Sequence, residues 1–256
     1  MFVIGNGIYN MKEEAVKIIA SLKKLAEETE LTYENVLPLL KFYKVKAPET
    51  PITNRNQQHI VKALTYSQDH WRCGYVDTSF TKNVTWKAFT TYDEAHPATV
   101  FPRGTMYLSI KQAQLGGVFD SIIRFLIDHQ IPVIGKVSMI HQNITLILSF
   151  GSGEDATQVR NFIWRYWNLQ LLPHDPFIPD YHGIGLVVGE EIHYQEEVTK
   201  LLVTFGNACR NSNHAEFITL EQFYKTLTRS YRKNMVEEPY IVNQILQSLD
   251  VIMREQ

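Results

Sequence analysis

The chain has 256 residues, 45% hydrophobic and 20% charged, which is enough apolar material for a substantial core without disulfide or metal staples and excludes intrinsic disorder. Lys and Arg number 25 against 27 Asp and Glu, a net charge of -2 that argues against a nucleic-acid-coating surface or a polybasic membrane patch. Cys73 and Cys209 lie far apart and match no metal-ligand spacing, so two reduced thiols in a cytoplasmic protein are expected, with no zinc and no disulfide scaffold.

Residues 1–10 carry no basic n-region, so no signal peptide is expected. No apolar run reaches the roughly 18 residues that span a bilayer. From Lys12 to Thr29, Ala15, Ile18, Ile19, Leu22, Leu25 and Ala26 recur at helical spacing, which predicts an amphipathic helix. A shorter helix is expected from Thr32 to about Tyr43. Pro48 and Pro51 make Ala47–Thr53 the best linker, and Asn54–Ser67 reads as another helix.

Beyond Tyr66 the composition turns β-branched and aromatic, predicting strands over Thr85–Thr91, Thr105–Ile110 and Val133–Phe150. Leu115, Val118, Phe119, Ile122 and Leu126 place a helix between the second and third. His141-Gln142-Asn143 reads as a tight turn that folds Val133–Ile140 and Ile144–Phe150 into an antiparallel hairpin. Asp155 is a candidate cap for a helix carrying Val159, Phe162, Ile163 and Tyr166. Gly183–Gly189 is a further strand candidate.

The last third is helical again, with a stripe from Val198 to Cys209, a capping box of Thr219 with Gln222, and a final helix lined by Val242, Ile245, Leu246, Leu249 and Ile252. The reading is α+β, an antiparallel-rich sheet flanked by helices, with residues 1–68 as a helical N-terminal extension and 69–256 as the main domain, or the two as one continuous domain.

No Gly-rich phosphate loop, G-x-S-x-G elbow or H-E-x-x-H motif is present, and His193 with Glu197 is a lone pair that a solvated helix face explains equally well. More informative is a lysine inside a strand. Alternation puts Ile134, Lys136, Ser138 and Ile140 on one face. A desolvated lysine there is a candidate base, while the plainer alternative packs its stem on the sheet and leaves the amine in water.

In Thr105–Ile110 the residues Thr105, Tyr107 and Ser109 share one face, and the Tyr107 hydroxyl is a candidate acid for Lys136 if both point into one cleft; otherwise it fills a half-buried surface. Arg72, Lys82, Lys87 and Arg103 are interleaved with Trp71, Tyr75, Phe80, Trp86, Phe89 and Tyr92. Such a stretch suits a phosphoryl dianion on a peptide, or equally a solvated surface diluted by Asp77, Asp93 and Glu94.

The run Arg103-Gly-Thr-Met-Tyr107-Leu-Ser-Ile110, a helix, Ile131-Pro132-Val-Ile-Gly-Lys136-Val137, a hairpin, then Pro176-Phe177 and Gly183-Ile184-Gly185-Leu186 resembles the HopA-type effector family. That family includes a plant-pathogen type III effector and stand-alone lyases of lanthipeptide and thioamitide pathways. The resemblance covers roughly residues 70 to 210. It implies a phosphothreonine-lyase-like fold and β-elimination of phosphate from phosphoserine or phosphothreonine, giving dehydroalanine or dehydrobutyrine. It implies Lys136 as the base and places Tyr107 where those lyases carry a histidine acid. His141-Gln142-Asn143 stands where the family often has a basic residue, which makes His141 a substrate-binding candidate with Arg72, Lys82, Lys87 and Arg103.

The expectation is a cytoplasmic, cofactor-free lyase in ribosomal peptide modification. Its partners would be a phosphorylated precursor peptide and a separate kinase, with no nucleic acid and no membrane. A non-catalytic peptide- or protein-binding effector or scaffold with the same fold is the alternative.

Overall fold

The computed structural model describes residues 2–4, 7–9, 11–40, 51–70, 86–91, 103–141, 144–172, 177–181, 183–188 and 191–254. The chain forms two compact units: residues 1–42, 175–179 and 191–256 make the first, and residues 43–174 and 180–190 the second.

The first unit opens with a small antiparallel hairpin, β1 (Phe2–Ile4) with β2 (Gly7–Tyr9), followed by α1 (Met11–Glu28). Helix α1 buries Met11, Ala15, Ile19, Leu22 and Ala26, close to the stripe expected from its spacing. Helix α2 (Tyr33–Val36) starts on a reciprocal cap, with the Thr32 hydroxyl accepting from Asn35 N–H and the Asn35 side chain from Thr32 N–H, and a 3-10 turn over Leu37–Leu40 follows.

The remaining helices of this unit, α6, α7 and α8, come from the far end of the chain: α6 (Glu191–Asn211), α7 (Leu220–Arg232) and α8 (Pro239–Arg254). Asn207 of α6 accepts from Leu31 N–H at 3.0 Å and donates to Leu31 O at 2.8 Å, fixing the chain just after α1. Phe177 and Ile178 are buried in the same unit, held by Tyr194 Oη donating to Phe177 O and Ser248 Oγ to Ile178 O. As its capping sequence predicts, α7 begins at Thr219, whose hydroxyl accepts from Gln222 N–H.

The second unit is built on an antiparallel sheet. Its strands are β3 (Trp86–Thr90), β4 (Gly104–Ile110), β5 (Val133–Ser138), β6 (Leu146–Phe150), the short β7 (Leu171–Leu172) and β8 (Asp180–Tyr181), and β9 (Ile184–Val188). The order across the sheet is β3-β5-β6-β4-β9-β8, with β7 pairing the end of β4. The expected hairpin is present as the β5–β6 pair, although Gln142 and Asn143 of its turn lie outside the described residues.

Helices α3 (Asn54–His70), α4 (Leu115–Asp128) and α5 (Gly153–Trp167) all pack on one face of this sheet. Ile60 and Leu64, Val118 and Phe119, and Val159 and Ile163 meet Met106, Leu108, Val137, Leu148 and Phe150 in one core. Asn56, nearly fully buried, ties α3 to α4: its Oδ1 accepts from Gly116 N–H and its Nδ2 donates to Gln112 O.

Two local expectations are corrected. The cap of α5 is Ser152 and not Asp155, because only Ser152 has the extended backbone that lets its hydroxyl accept from Glu154 and Asp155 N–H. The segment from Pro51 is no free connection: Pro51 bridges to Ile140 and Ile52 N–H donates to Met139 O, an extension of the sheet that proline tolerates at an edge.

Candidate active site

Residues directly opposite one another on paired strands project to the same face, so the register assigns every side chain of the sheet. The row Ala88, Lys136, Ile147, Tyr107 and Gly185 runs straight across β3, β5, β6, β4 and β9. Lys136 and Tyr107 therefore share a face, the one opposite the three helices. They are not on adjoining strands: β6 intervenes with Ile147, and two strand spacings separate their Cα atoms by about 10 Å. A direct lysine–phenol hydrogen bond is not the natural geometry of such a pair.

This face changes character along the row. Toward the β3 edge it is open, with Ala88 exposed and Ile134 39% exposed, whereas Ile147 and Tyr107 toward the middle are buried. Lys136 stands at the boundary, half-buried, with its Nζ 5.8 Å from the centroid of the Trp86 ring, within range of a cation–π contact. Sequence reasoning put Trp86 in a general aromatic clasp; the period-two pattern was the available signal that it shares a face with Lys136, since it lies opposite Ser138.

Around this row the face is rich in hydroxyls. Thr105, Ser109, Ser138 and Thr145 are all buried, and Ser149 is half-buried. Most are engaged locally. Thr145 Oγ1 donates to Leu108 O and accepts from Ile110 N–H, and Ser138 Oγ donates to Ile140 O. Ser109 Oγ is buried and has no hydrogen-bond partner among the described residues, an uncommon state for a buried hydroxyl. All seven residues of β4 are buried, so its polar face is covered and not half-open as its alternation alone suggested.

Among the described residues, the register does not gather the anion-binding candidates in the Lys136 row. Lys87 pairs with Val137 and so projects to the opposite, helix-packed face, where it is buried and its pKa is lowered by loss of solvent. Alternation forbids neighbours 87 and 88 from facing the same way, and it is Ala88 that joins the Lys136 row. Arg103 precedes β4, exposed, on the Tyr107 side by alternation but four residues along the strand. His141 is half-buried just past the end of β5. Arg72 and Lys82 lie outside the described residues, as do Trp71, Tyr75, Phe80 and Tyr92.

Gly135 shows how the site strand is held. A Cβ there would fall 2.3 Å from Phe89 Cζ, so the Phe89 ring lies directly over the Gly135 backbone, edge-on to Phe119 at 5.4 Å. This closes the helix-side core under β5 and leaves the other face of the strand to Lys136. Among the described residues no group of three His, Cys, Asp or Glu is placed to hold a metal ion, and no helix is long and apolar enough to cross a membrane.

No family model matches the chain, and no curated protein matches its sequence. Among solved structures it is similar to an effector protein from Pseudomonas syringae pv. tomato strain DC3000, at 10% identity over 86% of this chain and 94% of that one, with a TM-score of 0.47. It is also similar to an effector protein from Pseudomonas syringae pv. syringae strain 61, at 14% identity over 78% and 94%, with a TM-score of 0.41.

Proposed function

We propose that the chain is a phosphoserine/phosphothreonine lyase that eliminates phosphate from a kinase-phosphorylated peptide, as in lanthipeptide-like modification of a ribosomal precursor. The observation that supports it is the single cross-strand row holding Lys136 and Tyr107 on one face, with Ile147 of β6 between them. In the reaction the amine of Lys136 takes the Cα proton and the electron pair forms the Cα–Cβ double bond. The Cβ–O bond breaks, and the leaving phosphate takes a proton from the Tyr107 phenol. The products are a dehydroamino acid and inorganic phosphate; no metal or nucleotide enters the balance. A separate kinase supplies the phosphate, since this chain has no kinase motif.

The complete burial of Tyr107 favours a second reading, a non-catalytic effector or scaffold that keeps this fold and binds a peptide or protein. Incubation with a library of phosphoserine and phosphothreonine peptides, without added metal, separates the two. A lyase releases phosphate and leaves an alkene that adds thiols. A phosphatase leaves the hydroxyl, and a binder leaves the phosphopeptide intact; either outcome refutes the lyase.

A further inference from the structure

The first unit carries two surface patches of opposite charge at the two ends of α7. At the C-terminal end Arg232 and Lys233 lie three and four residues after Arg229 on the exposed side of the helix, opposite the buried Phe223 and Leu227. None of the three has an ion-pair partner among the described residues, unlike Lys225 one turn earlier, which is bonded to Glu221. Beside them the chain turns at Asn234, whose left-handed φ of 54° ends the helix, and presents Met235, 73% exposed.

The N-terminal end of α7 is reached from a 3-10 turn over Ala215–Phe217, which lies against α1. Here Phe217 is 51% exposed beside His214 and Glu216, and the field of Lys23 reaches Glu216. One turn beyond Lys23, α1 ends in Glu27 and Glu28, followed by Glu30, all exposed and without an ion-pair partner among the described residues. The 13 residues of α7, at 1.5 Å rise each, put its two ends about 18 Å apart. Each patch thus holds three like charges without an ion-pair partner among the described residues, the basic one followed by Glu237 and Glu238 and the acidic one preceded by Lys23 and Lys24, and the two are opposite in sign.

We infer that these ends are the two halves of a head-to-tail contact between copies of this chain, with Arg229, Arg232 and Lys233 of one copy on Glu27, Glu28 and Glu30 of the next. Met235 approaches Phe217 in that contact, a pairing that thioether sulfur and aromatic rings favour. Such a contact joins different surfaces, so it builds rings or chains and not a closed two-fold dimer. It stands whether or not the protein is a lyase. The charges are too few and too closely followed by Glu237 and Glu238 for an anionic bilayer, which calls for a cluster of about four to eight basic residues.

The test is sedimentation velocity of the full chain at about 10 mM and about 1 M salt, where charges are felt over about 30 Å and about 3 Å respectively. The wild type is expected to show concentration-dependent species larger than the monomer at low salt and monomer alone at high salt. The triple reversal R229E/R232E/K233E and the triple reversal E27K/E28K/E30K each abolish association. Their equimolar mixture restores it, as does the chain carrying all six changes. The reversed residues are exposed, and unchanged circular dichroism verifies folding. A wild type that is monomeric at low salt overturns the inference, as does association that survives either reversal. Monomeric wild type that binds polyglutamate through the cationic end assigns that end to a foreign acidic partner instead.

Discussion

Substituting Gly135 by Ala tests how the strand that carries Lys136 is positioned. The added methyl carbon would sit 2.3 Å from Phe89 Cζ and 2.7 Å from both Cε atoms, against the roughly 3.5–4.0 Å of an ordinary carbon contact. The ring must therefore retreat by more than about 1 Å, yet it is fully buried and abuts Phe119 edge-on. Overpacking of this kind costs about 1–3 kcal/mol, which outweighs the 0.5–1 kcal/mol or so that replacing a strand glycine returns through the unfolded chain. Removing the ring removes the conflict: in a Phe89→Ala background Gly135→Ala should be neutral or stabilising, a coupling of about 1–3 kcal/mol between the two sites. The assay is urea unfolding followed by tryptophan fluorescence, because Trp71, Trp86, Trp164 and Trp167 all fall within the residue range of the second unit. A Gly135→Ala protein as stable as the wild type with Phe89 in place refutes the packing argument.

Three other outcomes follow from particular contacts. Burial lowers the pKa of Lys87 below its ordinary 10.5, so the unfolded chain binds more protons than the folded one between those two values, and stability gains from Lys87 as pH rises through that window. The stability difference between Lys87→Met and the wild type, from unfolding at several pH values, should therefore shift in the wild type's favour as pH rises toward 10.5; a pH-independent difference contradicts it. Ser152→Ala should cost about 1 kcal/mol through loss of the α5 cap, and Asp155→Ala markedly less, both read from the same fluorescence transition. Asn207→Ala removes both hydrogen bonds to Leu31 and should lower the stability of the first unit by about 1–3 kcal/mol in a helical circular dichroism melt; a melt unchanged by that substitution would show the pair to be idle.

The helices were legible because their buried faces recur at three and four residues, as at Ala15, Ile19, Leu22 and Ala26, and the strands because β-branched runs such as Val133–Val137 alternate. The β5–β6 pairing followed from a short connection. Strand order did not, since pairing of β4 with both β6 and β9 is a long-range choice that no local pattern encodes. That is why the strand between Tyr107 and Lys136 could not be read from the sequence.

The two-residue strands β7 and β8 are too short to show a period, and the packing of residues 191–254 with 11–40 is carried by contacts such as Asn207 to Leu31 across most of the chain. At the site, alternation correctly placed Lys136 with Ser138, and Tyr107 with Thr105 and Ser109. It also contained the fact that Lys87 faces away from them, which chain proximity to Trp86 and Phe89 obscured.

The most direct measurement of the central claim is single-turnover mass spectrometry of the phosphopeptide library with wild type, Lys136→Met and Tyr107→Phe. The account predicts loss of phosphoric acid from the peptide with wild type, a fall of at least about 10²-fold with Lys136→Met, and a fall with Tyr107→Phe that is smaller for better leaving groups than phosphate. Equal alkene formation by Lys136→Met and wild type, or none by the wild type, would contradict it.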